Sequence, residues 1–240
     1  MSQVKTEAIV LRSRNYRDKS KIVSLYTKSH GKMTFIAKGV RDTKSRWGGV
    51  LQSMAYLNVM FYYNENRTLH LLSGADFERS FQSIFGEYEK TQSAYRIVEL
   101  LNLATEENHE SAELFELIVE TLCNLEIATK NYVNLFFNFE LRLAKILGFA
   151  INPDEFCGIT GEDKLRLVGN LSQGQNMPSD ASKTMNLLLS GSFDDFRDIK
   201  ISPPAEKSID NFLEFYFRTH IDNMNFMKAN KVMKSKEIIL

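Results

Sequence analysis

Cysteine is scarce: Cys123 and Cys157 are the only two in 240 residues. Two thiols make no disulfide framework, and this usage points to the reducing cytosol. No run of roughly 18 apolar residues occurs, which excludes an ordinary transmembrane helix. The start, Met1-Ser-Gln-Val-Lys-Thr-Glu7, carries no apolar stretch of its own, so no signal peptide is expected. Histidine is equally sparse. His30, His70, His109 and His220 are scattered, with no partner at metal or triad spacing, and read as surface or strand residues. No phosphate-cradling glycine loop with its lysine, no zinc-protease helix and no nucleophile elbow is present. The chain therefore reads as a non-enzyme that needs no cofactor.

One stretch has the outline of a metal site. Phe156-Cys157-Gly158-Ile159-Thr160 has the turn of a zinc knuckle, but Thr160 stands where a second thiolate belongs. The Gly169 to Met177 loop offers asparagine, glutamine and serine instead of a second pair. A structural zinc site wants four soft ligands. No metal is expected. Cys123, on the apolar side of a helical stripe, reads as core.

Net charge is also missing, with 30 basic and 30 acidic residues. The zero conceals an asymmetry. Residues 1–80 hold 14 Lys and Arg against 6 Asp and Glu, a net of +8, so the remainder is −8. A basic N-terminal part on an acidic body suggests an anionic partner for the first part.

That first part has the pattern of strands. Residues 4–13 alternate, 19–28 form a second run, and Gly31 to Ala37 a third, with Met33, Phe35 and Ala37 on one face. Ser29-His30-Gly31 is a hairpin turn with glycine where positive φ is needed. Ala55 to Tyr63 and Arg67 to Ser73 complete five strands in about 75 residues, with the longer interruption after the third. This fits a small closed barrel of the OB type, with an SH3-like barrel or an open meander as the other topologies. After Gly74 the apolar period changes from 2 to 3.6. Ala94, Ile97, Val98, Leu101 and Ala104 make one helical stripe; Leu114, Leu117, Ile118, Leu122 and Leu125 make another. Val133 to Leu147, with Phe136, Phe137 and Phe139 around it and Gly148 behind it, reads as a central buried helix. Residues 150–180 are irregular, Met185 to Leu189 read as a short helix, and Ser202-Pro203-Pro204 caps a last long one, followed by a basic segment over 229–240. The fold class is α+β: an OB-type barrel over residues 1–79 and a helical domain over 80–240, with 150–180 as a degenerate, zinc-free insertion.

The functional signal lies in two basic clusters. Arg12, Arg14, Arg17, Lys19 and Lys21 surround the first turn. Lys38, Arg41, Lys44 and Arg46 occupy the loop after the third strand, beside Trp47, the only tryptophan. On a closed barrel both clusters line one groove, suited to phosphates and blind to sequence. Trp47 and Tyr16 are placed to stack on bases; Trp47 serves equally as a cap on the barrel end.

The motif order Thr6-Glu-Ala-Ile-Val-Leu-Arg12, Lys19-Ser-Lys-Ile-Val-Ser-Leu-Tyr-Thr27, His30-Gly31-Lys32, Ala37-Lys38-Gly39-Val40-Arg41, Lys44-Ser45-Arg46 and Leu51-Gln52 resembles the N-terminal domain of the RecO family, bacterial recombination mediators of the RecF pathway. Leu147-Gly148-Phe149, Cys157-Gly158 and the Phe212 to Ser235 segment continue the resemblance over nearly the whole chain. It implies an OB-fold domain, a helical domain and, in many members, a zinc module, here without its cysteines. It also implies binding of single- and double-stranded DNA, annealing of complementary strands, contact with the acidic C-terminal tail of the single-strand binding protein, and action with RecR in loading RecA. A cytoplasmic, nucleoid-associated location goes with this. The family's docking site for the acidic tail lies on the helical domain, where Lys130, Arg142 and Lys145 flank the central apolar helix as candidates. The alternatives are an adaptor whose barrel binds an acidic protein tail, and an OB-fold RNA-binding factor.

Overall fold

The computed structural model describes residues 2–45, 47, 49–151 and 179–221. Arg46, the bulk of the 150–180 segment with its Cys157 turn, and the basic 229–240 segment lie outside the described residues. Two compact units contain what is described, residues 2–127 and 128–221.

The first unit is built on a closed barrel of five strands: β1 (Ser2–Tyr16), β2 (Ser20–Thr27), β3 (Gly31–Ala37), β4 (Tyr56–Tyr63) and β5 (Leu69–Arg79). Their order around the barrel is β1-β2-β3-β5-β4, and β4 closes back onto β1. The β3–β5 pair is parallel and the others antiparallel. This five-stranded closed order is the OB type of barrel. Alternation places Met33, Phe35 and Ala37 inside with no exposed surface, against Val23, Leu25, Leu57 and Phe61. The hairpin glycine is where the pattern put it: Gly31 has φ +65°, and Thr27 Oγ1 donates to its carbonyl at 2.9 Å.

Two strands run further than their sequence pattern. β5 continues past Ser73 to Arg79, because Ala75, Asp76 and Phe77 pair with Val59, Asn58 and Leu57 of β4. A register shift between Met60 and Phe61 breaks the period-2 signal there, and Asp76, Glu78 and Arg79 face solvent. β1 likewise extends to Tyr16, since Arg14, Asn15 and Tyr16 pair with Ile22, Lys21 and Ser20.

After a single 3-10 turn at Ser83–Gly86 come α1 (Tyr88–Ala104) and α2 (Ala112–Ile127). Their stripes bury Ala94, Ile97, Val98 and Leu101, and Leu114, Leu117, Ile118, Leu122 and Leu125. Cys123 is half-buried rather than core, with Arg79 Nη1 at 2.9 Å from its Sγ. The connection between α1 and α2 seals one end of the barrel. Lys32 Nζ donates to the carbonyls of Asn102, at 2.9 Å, and Thr105; Asn108 N–H donates to Lys32 O at 2.9 Å. Burial lowers the Lys32 pKa, against the opposing pull of Glu107 and Glu106.

At that same end His70 of β5 is only 3% exposed and stacks on Tyr63, with ring centroids 5.5 Å apart and planes at 11°. Burial lowers its pKa, and the charges of His30 and Arg67 add to this; a hydrogen bond with the Tyr62 backbone and the Glu107 charge oppose it. The unfolded chain takes up a proton on this ring near pH 6.5, whereas the folded barrel resists it. The contribution of this ring to stability is therefore fully present above that pH and declines as pH falls through 6.5 towards the lower folded value. Urea unfolding at pH 7.5 and 5.5 is expected to show this decline, and His70→Phe is expected to reduce it.

The second unit is organised on α3 (Tyr132–Ile146), with α4 (Ser179–Ser190), α5 (Phe193–Phe196) and α6 (Pro203–His220). Phe136, Phe137 and Phe139 are all fully buried, and with Asn134, Asn138 and Glu140 also covered, α3 is buried on nearly every side. Its buried amides clasp backbone instead of solvent. Asn134 Nδ2 donates to Phe196 O and Ile199 O at 2.9 Å, and Asn138 Nδ2 to Leu188 O at 2.6 Å. Gly148, at φ +88°, follows the end of the helix. α4 is a 12-residue helix, longer than the Met185–Leu189 core of its pattern, because Ala181, Ser182 and Thr184 are also buried. α6 starts as its sequence signals: Ser202 Oγ accepts from Ala205 N–H at 3.3 Å ahead of Pro203 and Pro204.

Candidate nucleic-acid interface

The β1–β2 turn and the β3–β4 loop emerge from the same end of the barrel, opposite the sealed end. They are joined there. Arg41 Nη1 donates to the carbonyls of Arg17 and Asp18, each at 3.1 Å, and Arg41 N–H donates to Lys19 O at 3.1 Å. Lys19 Nζ pairs with Asp42 at 2.8 Å, and Lys21 Nζ donates to Leu51 O at 3.1 Å.

The loop is held on the barrel by its own apolar residues. Val40 and Leu51 are buried in the barrel core, and Trp47 and Val50 pack partly against it. Past the loop, Met54 N–H donates to Val10 O at 2.8 Å and Val10 N–H to Ala55 O at 2.9 Å, which zips the chain back onto β1. Between these anchors Asp42 makes the turns: its N–H donates to Gly39 O, and its carboxylate accepts from Lys44 N–H at 3.2 Å.

The ten residues expected at this surface divide into groups. Arg12 and Arg14 point outward from β1, and Lys38 and Lys44 are exposed at the two sides of the β3–β4 loop. Among the described residues no ion pair engages any of these four. Arg17 is exposed too, its guanidinium 5.2 Å from the Tyr16 ring centroid, with its backbone at φ +51°. Lys19 is paired. Its pKa is raised by the hydrogen bond and charge of Asp42, whose own carboxyl is lowered chiefly by the bond from Lys19. Lys21 is half-buried, and burial first and the Arg41 charge second lower its pKa. Arg41 is exposed yet holds backbone. Trp47 is half-buried against the core, so packing occupies part of its ring. Arg46 lies outside the described residues.

The loop is thus less positive than its sequence suggests, because Asp42 answers Lys19. Nor does the whole +8 gather at this end: Lys28 pairs with Glu7 at 3.2 Å, and Lys32 is committed at the sealed end. What remains, among the described residues, is a set of exposed cations outside any ion pair around two tied loops. That arrangement suits a polyanion whose phosphates are spaced along a backbone.

The three candidates of the helical unit do not form one patch. Lys130 precedes α3 and pairs with Asp198 at 2.7 Å, which lowers the Asp198 carboxyl pKa. Arg142 and Lys145 lie near the other end of α3; Lys145 is exposed and Arg142 half-buried. Thirteen residues of helical rise, roughly 20 Å, already separate Tyr132 at the start of α3 from Lys145. Among the described residues no three His, Cys, Asp or Glu side chains gather where a metal ion fits, and no helix is long and apolar enough to cross a membrane.

Comparison with known proteins agrees with both parts of the chain. The family model described as "Recombination protein O N terminal" matches residues 1–81, and "Recombination protein O C terminal" matches residues 86–229. The DNA repair protein RecO of Chloroherpeton thalassium is 28% identical over 251 residues, covering 95% of this chain and 96% of that protein. The DNA repair protein RecO of Salinibacter ruber is 37% identical over 183 residues, covering 75% of this chain and 69% of its own length. That of Chlorobium limicola is 36% identical over 159 residues, 66% of this chain and 60% of that protein. With an OB-type barrel at its N-terminus, helices behind it and both family models matched in order, the chain belongs to the RecO family of DNA repair proteins.

Proposed function

We propose that this protein is a non-enzymatic recombination mediator, with the barrel of residues 1–79 as its DNA-binding domain and residues 80–240 as the body that meets protein partners. The observation that carries this reading is the join made by Arg41 between the two basic loops. It ties together the loops that carry Arg17, Lys38 and Lys44 at one end of the barrel, beside Trp47 and the exposed Arg12 and Arg14 of β1. Exposed cations bind backbone phosphates through counterion release, with little regard for sequence. The half-exposed face of Trp47, and Tyr16, add stacking on unpaired bases.

Such a surface accelerates annealing for an electrostatic reason. Two complementary strands repel one another, and holding both against neutralising cations lowers that repulsion while leaving base edges free. The partners that accompany this role are RecR, RecA by way of loading, and the acidic tail of the single-strand binding protein, in a cytoplasmic protein associated with the nucleoid. On the helical unit the candidates for an acidic tail are Lys130, Arg142 and Lys145, of which Lys130 pairs with Asp198 and Lys145 is exposed.

The test is one panel at fixed salt: single-stranded DNA, duplex DNA, RNA of the same sequence and an acidic peptide, followed by strand annealing. Binding of both DNA forms without preference for RNA, and faster annealing, is expected. A clear RNA preference would indicate recognition of the 2′-hydroxyl and an RNA-binding factor. Binding of the peptide alone would make the barrel an adaptor.

A further inference from the structure

Arg41 stands apart from the other cations at this end of the barrel. One of its terminal nitrogens bridges two successive carbonyls, those of Arg17 and Asp18, at 3.1 Å each. Its backbone N–H reaches a third acceptor of the same turn, Lys19 O. Arg17 is held in the left-handed region at φ +51°, which a non-glycine residue adopts at some cost. Among the described residues no other side chain bonds to these two carbonyls. The Lys19–Asp42 pair is a second strap between the same two segments, but both partners are solvent-accessible, and exposed ion pairs hold weakly.

We infer that Arg41 is a positioning residue, a latch that fixes the spacing between the Arg12–Arg14–Arg17 cluster and the Lys38–Lys44 cluster, and that this spacing sets how well the surface binds duplex relative to single-stranded DNA. The inference rests on the DNA-binding reading above. The physical reason lies in the two ligands. Duplex DNA is stiff, with a persistence length of about 150 base pairs, so its phosphates form a fixed lattice and the cations must already match it. A single strand bends to meet cations wherever they are. Preorganisation therefore contributes to duplex affinity and much less to single-strand affinity.

The test compares Arg41→Gln and Arg41→Lys with the wild type in the full chain, on a 20-base-pair duplex and a 20-nucleotide single strand, across a salt series. Lysine keeps the charge, but its stem is one atom shorter and it lacks the guanidinium fork. Both variants are expected to lose roughly 10-fold on the duplex and less than about 3-fold on the single strand, as lost preorganisation requires. The single-strand salt slope is expected to stay unchanged, since no phosphate contact is removed. If Arg41→Lys binds like wild type while Arg41→Gln flattens the single-strand slope by about 0.7, Arg41 is a phosphate contact and the latch is overturned. Equal losses on both DNAs, with lowered resistance to urea, would make the role purely structural and overturn it as well. The double variant Arg14→Glu/Lys44→Glu separates the two levels. Wild-type DNA binding by that variant defeats the reading of the surface itself, and the latch falls with it.

Discussion

Replacing Arg14 and Lys44 together by glutamate is expected to lower affinity for single-stranded DNA by about 100-fold near 0.1 M salt. The two residues lie on opposite sides of the join made by Arg41, one on β1 and one in the β3–β4 loop. Both are exposed, and among the described residues neither takes part in an ion pair. Two phosphate contacts vanish, and two negative charges then face the backbone. Because neither side chain supports the fold, unfolding in urea is expected to shift by no more than about 0.5 kcal/mol. Fluorescence anisotropy with a labelled oligonucleotide measures the first quantity, and circular dichroism in urea the second. Binding that falls only in proportion to a loss of folded protein would remove these residues from the interface.

Gly31→Ala is expected to do the reverse. A Cβ built at Gly31 falls 2.0 Å from His109 O and 2.4 Å from His109 C, which are backbone atoms with no freedom to swing aside. Its φ of +65° adds a conformational cost to any other L-residue of about 1 kcal/mol. The α1–α2 connection must then lift from the barrel, straining the Asn108–Lys32 backbone bond and the Lys32 ammonium between Asn102 and Thr105. Overpacking of this kind adds roughly 1–3 kcal/mol, so a destabilisation of about 3 kcal/mol is expected in urea unfolding. The turn at Gly31 closes the end of β2 opposite the DNA-binding loops. At temperatures where the variant remains folded, its affinity for DNA is therefore expected to match wild type. The two variants together separate the end of the barrel that binds from the end that is sealed.

Much of the barrel was legible because its signals are local. Alternation in Met33, Phe35 and Ala37, a glycine at the hairpin and β-branched runs each depend on a few neighbours. The second half of β5 was not, because Asp76, Glu78 and Arg79 are polar and a register shift cancels the alternation there. The helices were legible for the same local reason, down to the Ser202 cap. The length of α4 was not, since Ser182 and Thr184 are buried polar residues and carry no apolar stripe.

At the candidate interface the sequence shows which residues are basic, and no more. Whether a basic residue is available depends on partners distant in the chain. Asp42 takes Lys19 from 23 positions away, Leu51 O takes Lys21, and the carbonyls of residues 17 and 18 take Arg41. Trp47 shows the same limit: its place against the barrel core follows from where Val40 and Leu51 anchor the loop. On the helical unit, Asp198 comes to Lys130 from a separate segment, which no spacing along α3 announces.

DNA binding by this protein rests on direct contact between phosphates and the exposed cations at the open end of the barrel. The dependence of single-strand affinity on sodium chloride concentration tests it most directly. Five contacts, from Arg12, Arg14, Arg17, Lys38 and Lys44, give an expected slope of log K against log salt of about −3.5, at roughly 0.7 per contact. The Arg14→Glu/Lys44→Glu variant is expected to flatten that slope by about 1.4, two contacts fewer. A wild-type slope shallower than about −1, or a slope the double variant leaves unchanged, would contradict it.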